Sequence, residues 1–239
     1  GDGGGSQYNR VDFSNDTGTA GVRGNITIAI YKLTSVSSEN YAYALGGAPI
    51  GPGWPYNSDN SRIDYSNDTA TAVNKGNLAA AYVDAAGVGT KDYGYFCGGL
   101  PVSTVQRIDY SNDTATASPK GPLSAARRYL RGVGNTSYGY LSGGSPGPGY
   151  MTTVDRNDYS SDTSTATVKG ALPFPLLSHG ATGNASYGYL AGGFNIEPGS
   201  NNWISTITRI DYSNDSASPS PKGDLSQARK TRSTGSTSY

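Results

Sequence analysis

Arg62-Ile63-Asp64-Tyr65-Ser66-Asn67-Asp68-Thr69 is the stretch that decides the fold, because the chain says it five times with small variations. RVDFSNDT starts at Arg10, RIDYSNDT at Arg62 and again at Arg107, RNDYSSDT at Arg156 and RIDYSNDS at Arg209, at intervals of 52, 45, 49 and 53 residues. A period near fifty residues is the mark of a repeat architecture, in which each repeat is one supersecondary unit. Each phrase is followed by a cation–glycine pair: Arg23-Gly24, Lys75-Gly76, Lys120-Gly121, Lys169-Gly170 and Lys222-Gly223. Four aromatic stretches end in a double glycine, YAYALGG from Tyr41, YGYFCGG from Tyr93, YGYLSGG from Tyr138 and YGYLAGG from Tyr187.

Within one unit, Leu123 to Lys169, short runs of β-branched and aromatic residues alternate with Gly, Asn, Asp, Ser and Pro clusters, the pattern of strands and turns. Four strands are expected there: an inner one at Ala125 to Val133, the tyrosine strand ending at Gly143-Gly144, Val154 to Tyr159, and Thr163 to Val168. Four strands in under fifty residues make a propeller blade. The expectation is an all-β, five-bladed β-propeller with four antiparallel strands per blade, forming one domain over residues 1–239. The blade units run roughly 26–75, 78–120, 123–169 and 172–222. A fifth, split blade combines 225–239 with 1–23, so that strands from both termini close the ring and remove exposed sheet edges.

The double glycine, the aromatic strand before it and the turn after it resemble the kelch repeat along the whole chain. Arg127 or Arg128, and Arg229, fall where kelch repeats often carry an arginine, whereas the kelch fourth-strand tryptophan is replaced by Thr or Ala. The near-verbatim repeats, rich in Gly, Ser, Thr, Asn and Tyr, look more like kelch-like propellers of virion or tail-fibre proteins of marine bacteriophages. That resemblance implies a virion or extracellular location, with other virion proteins and a glycan or host-surface receptor as partners.

Composition narrows function further. Eighteen basic residues balance eighteen acidic ones, so no bulk charge draws the chain to nucleic acid. No apolar run approaches the roughly 18 residues of a membrane helix. One cysteine, Cys97, and one histidine, His179, cannot supply a Cys/His metal site, a copper centre or an internal disulfide. Cys97 lies inside an apolar strand and reads as a small core residue rather than a nucleophile. The expectation is a non-catalytic chain with no cofactor and no metal.

In the repeated phrase the alternation of a strand puts Arg62 and Asp64 on one face, and Arg107 and Asp109 likewise. These pairs are expected to meet polar partners between blades. Asp68 and Asp113 belong to the Ser-Asn-Asp-Thr turn, which explains itself through side-chain bonds to backbone amides. Insertions follow the double glycines at Ala48 to Ser61, Ser145 to Thr152 and Phe194 to Ser205, and they hold Trp54, Tyr56 and Trp203. With Arg23, Lys75, Lys120, Lys169 and Lys222 expected on the same side, one face reads as aromatic platforms within a ring of cations. Such a face suits a glycan or an acidic partner. The function expected is a structural or receptor-recognition module of a virion or fibre. A secreted lectin and a propeller hydrolase with an unseen site are the alternatives.

Overall fold

The computed structural model describes residues 5–15, 17–50, 56–197 and 200–229. In chain order its strands are β1 (Gly5–Arg10), β2 (Gly21–Tyr31), β3 (Thr34–Ser37), β4 (Tyr41–Leu45), β5 (Ala48–Pro49), β6 (Asn60–Asp64) and β7 (Val73–Asn74). Next come β8 (Ala86–Gly89), β9 (Tyr93–Cys97), β10 (Val105–Asp109) and β11 (Ser118–Lys120), then β12 (Arg131–Gly134), β13 (Tyr138–Ser142), β14 (Val154–Asp158) and β15 (Thr167–Val168). The last are β16 (Leu176–Leu177), β17 (Gly180–Gly183), β18 (Tyr187–Ala191), β19 (Phe194–Glu197), β20 (Ser200–Trp203), β21 (Thr206–Asp211) and β22 (Ser220–Asp224). All pairing is antiparallel.

Four sheets are four-stranded meanders, one per repeat: β3-β4-β6-β7, β8-β9-β10-β11, β12-β13-β14-β15 and β17-β18-β21-β22. Two smaller sheets accompany them, β1-β2-β5 at the N-terminal end and β16-β19-β20 built from the insertion after Gly193. Among the described residues the sheets do not close into a ring. The stretch expected as a loop at Phe194 to Ser205 is therefore partly a hairpin, β19-β20, whose Asn195 pairs with Asn202.

Two strand boundaries differ from the sequence reading. The inner strand was expected from Ala125 but begins at Arg131, because Arg127 turns inward to a buried ion pair with Asp155 at 3.0 Å. Tyr129 then takes a left-handed backbone (φ 62°), which breaks the extended run. The fourth strand, expected from Thr163, is only Thr167–Val168, since the turn holds the chain through Ser164, whose N–H donates to Ser161 O.

The core is divided into layers, one between each sheet and the next. Val36, Tyr43 and Leu45 of the first sheet pack with Leu78, Ala85, Phe96 and Ile108 of the second repeat. Tyr95, Cys97 and Val105 pack with Leu123, Leu130 and Leu141 of the third, and Val133, Tyr140 and Val154 with Leu172, Leu190 and Ile210 of the fourth. The β1-β2 hairpin adds Ile26 and Ile30 against Ala44 and Ala72 of the first sheet. Adjacent residues of β9 thus enter different layers, Phe96 one and Tyr95 and Cys97 the other, as the period of two requires of a strand covered on both faces.

A polar clamp repeats at the outer part of each layer. Asp113 Oδ2 accepts from Arg62 Nη1 at 2.7 Å and Tyr43 Oη at 3.1 Å, while its Oδ1 faces Lys75 Nζ at 3.3 Å. Its backbone oxygen accepts from Gly76 N–H at 2.8 Å. Asp162 is held the same way by Arg107, Tyr95, Lys120 and Gly121, and Asp215 by Arg156, Tyr140, Lys169 and Gly170. A ring stack accompanies each clamp: Tyr43 on Tyr110 at 4.9 Å, Tyr95 on Tyr159 at 5.0 Å and Tyr140 on Tyr212 at 4.9 Å between centroids. Each arginine also lies over a tyrosine of its own sheet, Arg62 over Tyr41 and Arg107 over Tyr93. Glycine is required at 76, 121 and 170, where a Cβ would overlap the backbone of the next repeat's turn.

Arg62 and Arg107 thus meet polar partners between sheets, whereas Asp64 and Asp109, expected to do the same, do not. Asp64 and Asp109 cap their own single 3-10 turns, Asp109 Oδ1 accepting from Ser111 N at 2.9 Å and Ser111 Oγ at 2.6 Å. The arginines reach instead across the layer to the turn aspartate of the following repeat. Replacing Asp162 by Ala leaves three donors without their acceptor and is expected to cost about 2–4 kcal/mol. This is below the largest values for buried pairs because Arg107 keeps 25% of its side-chain surface in water. Asp109→Ala removes only a turn cap, about 1 kcal/mol. Urea unfolding of both variants checks the order, and equal losses would contradict it.

Candidate functional site

Where each connection enters its inner strand, one residue takes the left-handed region: Lys32 (φ 57°), Asp84 (59°), Tyr129 (62°) and Ser178 (52°). Each stands nine residues ahead of its aromatic strand, so the four are equivalent positions of the repeat. They are joined in sequence by backbone bonds, Asp84 N to Lys32 O at 3.4 Å, Tyr129 N to Asp84 O at 2.9 Å and Ser178 N to Tyr129 O at 3.2 Å. Non-glycine residues avoid this region, and such strain clusters at functional sites.

These four side chains line one cavity of roughly 410 Å³, completed by Arg131, Leu177, Phe194 and Trp203. Lys32 Nζ lies 3.2 Å from Asp84 Oδ2 and over the rings of Tyr31 and Tyr129, each 5.9 Å from its centroid. Burial raises the Asp84 carboxyl above its usual value, and Lys32, Arg131 and Arg128 pull the other way. Burial brings the Arg131 guanidinium down to about 10, Asp84 opposing. Trp203, 50% exposed, comes from the β19-β20 hairpin, and Phe194 stands opposite it in the same pair of strands. Two cations, one carboxylate and three aromatic rings thus face one space that admits a small polar ring.

Of the residues singled out in the sequence, Trp203 alone lines this cavity. Tyr56, within the insertion after Gly47, is exposed, and Trp54 lies outside the described residues. Lys75, Lys120 and Lys169 keep only 14%, 13% and 15% of their side chains exposed, because each is bound to a clamp aspartate. They do not form an open ring of cations. Arg23 lies 3.4 Å from Asp68, which also receives Arg10 at 2.9 Å. Lys222 is exposed.

Lys32, Asp84, Tyr129, Arg131 and Ser178 were missed by sequence reasoning. The aligned position holds four different residue types, but so do its neighbours, Tyr31, Val83, Arg128 and Leu177 before it and Thr34, Ala86, Arg131 and Gly180 two residues on, so nothing in the sequence set it apart.

No family model matches the chain, and no curated protein is significantly similar to it. Among the described residues no group of His, Cys, Asp and Glu has the arrangement of a metal site, and no helix is long and apolar enough to cross a membrane. Cys97 is fully buried in the layer between the second and third sheets, where burial pushes its thiol far up.

His179 is also fully buried, its Nε2 2.9 Å from Ser142 Oγ, at a position that Leu33, Ala85 and Leu130 fill in the other repeats. Burial, helped by the Arg131 charge, holds its pKa well below the ordinary value. Native His179 therefore stays neutral at pH values where an unfolded histidine, near 6.5, is protonated. The unfolded state binds more protons in that window, so stability falls as pH drops below about 6.5. It is the single histidine of the chain. The slope should approach about 1.4 kcal/mol per pH unit. Unfolding titrations between pH 6.5 and 5 should show that slope in the native chain and lose it in His179→Leu.

Proposed function

We propose that this chain is a non-catalytic recognition module, a five-bladed β-propeller of kelch-like type that binds a glycan on a host surface as part of a virion or fibre. The observation that carries the reading is the equivalent left-handed position of four repeats, where Lys32, Asp84, Tyr129 and Ser178 stand together around one cavity beside Trp203. Unlike side chains set at one equivalent backbone position around a shared cavity have the arrangement of a binding site on a rigid frame. Aromatic faces and hydrogen-bonding polar groups suit a sugar ring, and the two cations favour one that carries an acid group.

Five blades are supported from both ends of the described chain. The β1-β2 hairpin stands before the first sheet as each sheet stands before the next, Arg10 reaching Asp68 as Arg62 reaches Asp113. A cavity of roughly 270 Å³ lies in that layer beside Tyr65, where the other layers place a second-strand tyrosine. Beyond the fourth sheet, Leu225 to Arg229 repeats the connection Leu123 to Arg127, and Gly193 N–H donates to Arg229 O at 2.7 Å as Gly99 N–H does to Arg127 O at 3.0 Å. In this reading β1 and β2 are outer strands of the fifth blade, next to the fourth sheet's Leu225 to Arg229 connection.

Screening on a glycan array should find ligands that Trp203→Ala loses or binds at least tenfold more weakly, with the melting temperature essentially unchanged because Trp203 is half exposed. Binding of an acidic glycan should weaken from low to physiological salt as its charge is screened. Retention of every ligand by Trp203→Ala would place recognition elsewhere.

A further inference from the structure

Among the described residues, the fourth sheet presents the donors of a further clamp with no carboxylate in it. Tyr189, Arg209, Lys222 and Gly223 are the equivalents of Tyr140, Arg156, Lys169 and Gly170. Arg209 lies over Tyr187 at 4.2 Å as the other arginines lie over their tyrosines, so the guanidinium is already set in the clamp position. Among the described residues neither Arg209 nor Lys222 has an acidic partner, whereas every corresponding cation of the preceding three sheets does. Tyr43, Tyr95 and Tyr140 are 0% exposed beneath their stacked partners, while Tyr189 is only partly buried. A Cβ at Gly223 would meet nothing within 4 Å, in contrast to Gly76, Gly121 and Gly170.

The complementary half exists in the same chain. In the β1-β2 hairpin, Phe13 occupies the place of Tyr110, Tyr159 and Tyr212, the rings that stack on the preceding sheet. Phe13 is 93% exposed. An apolar ring this bare beside a repeated packing motif marks a surface built to be covered. Three residues later the sequence places Asp16, the equivalent of Asp113, Asp162 and Asp215; Asp16 itself lies outside the described residues.

We propose that the face of the fourth sheet bearing Tyr189, Arg209 and Lys222 is a docking socket for the chain's own Phe13-Ser14-Asn15-Asp16 turn, with Phe13 stacked on Tyr189 and the Asp16 carboxylate bridging Arg209 and Lys222. The proposal rests on the five-bladed reading and supplies the interaction that locks it. Equivalence to three occupied clamps fixes the chemistry of the occupant as an aspartate on a turn led by an aromatic residue. The hairpin is the chosen source because its sequence carries both groups at the right spacing and its exposed ring lacks the contact that the socket lacks.

The test is a thermal double-mutant cycle between Asp16→Asn and Arg209→Ala, with Asp162→Asn and Arg107→Ala as the occupied reference, together with solution scattering and light-scattering mass. Each single substitution is expected to lower the melting temperature by roughly 3–6 °C, and the pair by no more than the larger single loss. The protein should remain monomeric. Lys222→Ala replaces Arg209→Ala in the cycle if the latter does not fold. Additive losses, or no change in Asp16→Asn, overturn the socket. Scattering separates the two readings: a closed ring with no coupling sinks the socket alone, and an open arc sinks the ring and the socket with it. Coupling that appears only with a concentration-dependent dimer mass assigns the turn to a second copy and overturns the intramolecular occupant.

Discussion

Everything in this fold depends on one carboxylate per layer. Asp113, Asp162 and Asp215 each stand between two sheets and satisfy an arginine, a lysine and a tyrosine at once. For Asp215, burial alone would raise the pKa, and the bonds from Lys169, Tyr140 and Arg156 outweigh it, so the carboxyl ionises more readily than usual. Buried charge of this kind adds little net stability compared with apolar packing, and its value lies in geometry. Two flat tyrosine-rich faces slide easily over one another, and a multiply bonded aspartate admits only one register. The stack of Tyr43 on Tyr110 and the jammed glycine at 76 set the separation, while the clamp sets the lateral position.

The layered core follows from that arrangement. Because each of the first three sheets is covered on both faces, its strands are not amphipathic, and the Tyr-Gly-Tyr pattern does two jobs. In β13, Tyr140 fills the layer toward the fourth sheet, while Gly139 lets Val88 and the Tyr159 hydroxyl approach. A side chain at Gly94 or Gly188 would likewise meet a valine of the neighbouring sheet. The glycines next to the tyrosines therefore belong to the packing of the layers, which explains why a glycine-rich chain folds into ordered sheets.

Much of this was legible in the sequence. The four meanders, the tyrosine strand before each double glycine, and the role of Arg62 and Arg107 as inter-sheet polar groups follow from period-two alternation and from the repeats themselves. What alternation cannot give is the partner. It places Arg107 and Asp109 on one face, but the acceptor is Asp162, in the next repeat, and Asp109 turns to its own Ser111. The cation–glycine lysines misled for the same reason, since their acceptors lie one repeat further along the chain. The left-handed residues of the cavity have no composition signal, because a lysine or tyrosine with positive φ looks like any other lysine or tyrosine.

That last point argues for the cavity rather than against it. Where positive φ serves only to turn the chain, this protein mostly uses glycine, at Gly46 and Gly47, Gly98 and Gly99, Gly143 and Gly144, and Gly192 and Gly193, with Leu100 (φ 33°) the exception. At Lys32, Asp84, Tyr129 and Ser178 it does not, although a left-handed backbone costs a residue with a Cβ about 1–2 kcal/mol. Glycine would relieve that strain at each of the four positions, and the chain is rich in it. Each of the four instead keeps a side chain, and all four side chains face one cavity. Packing cannot be the reason for all four, since Lys32 and Ser178 remain partly open and face the cavity. The clamps hold the frame fixed, and that fixed frame is what allows four unlike residues to meet in one place with their directions set.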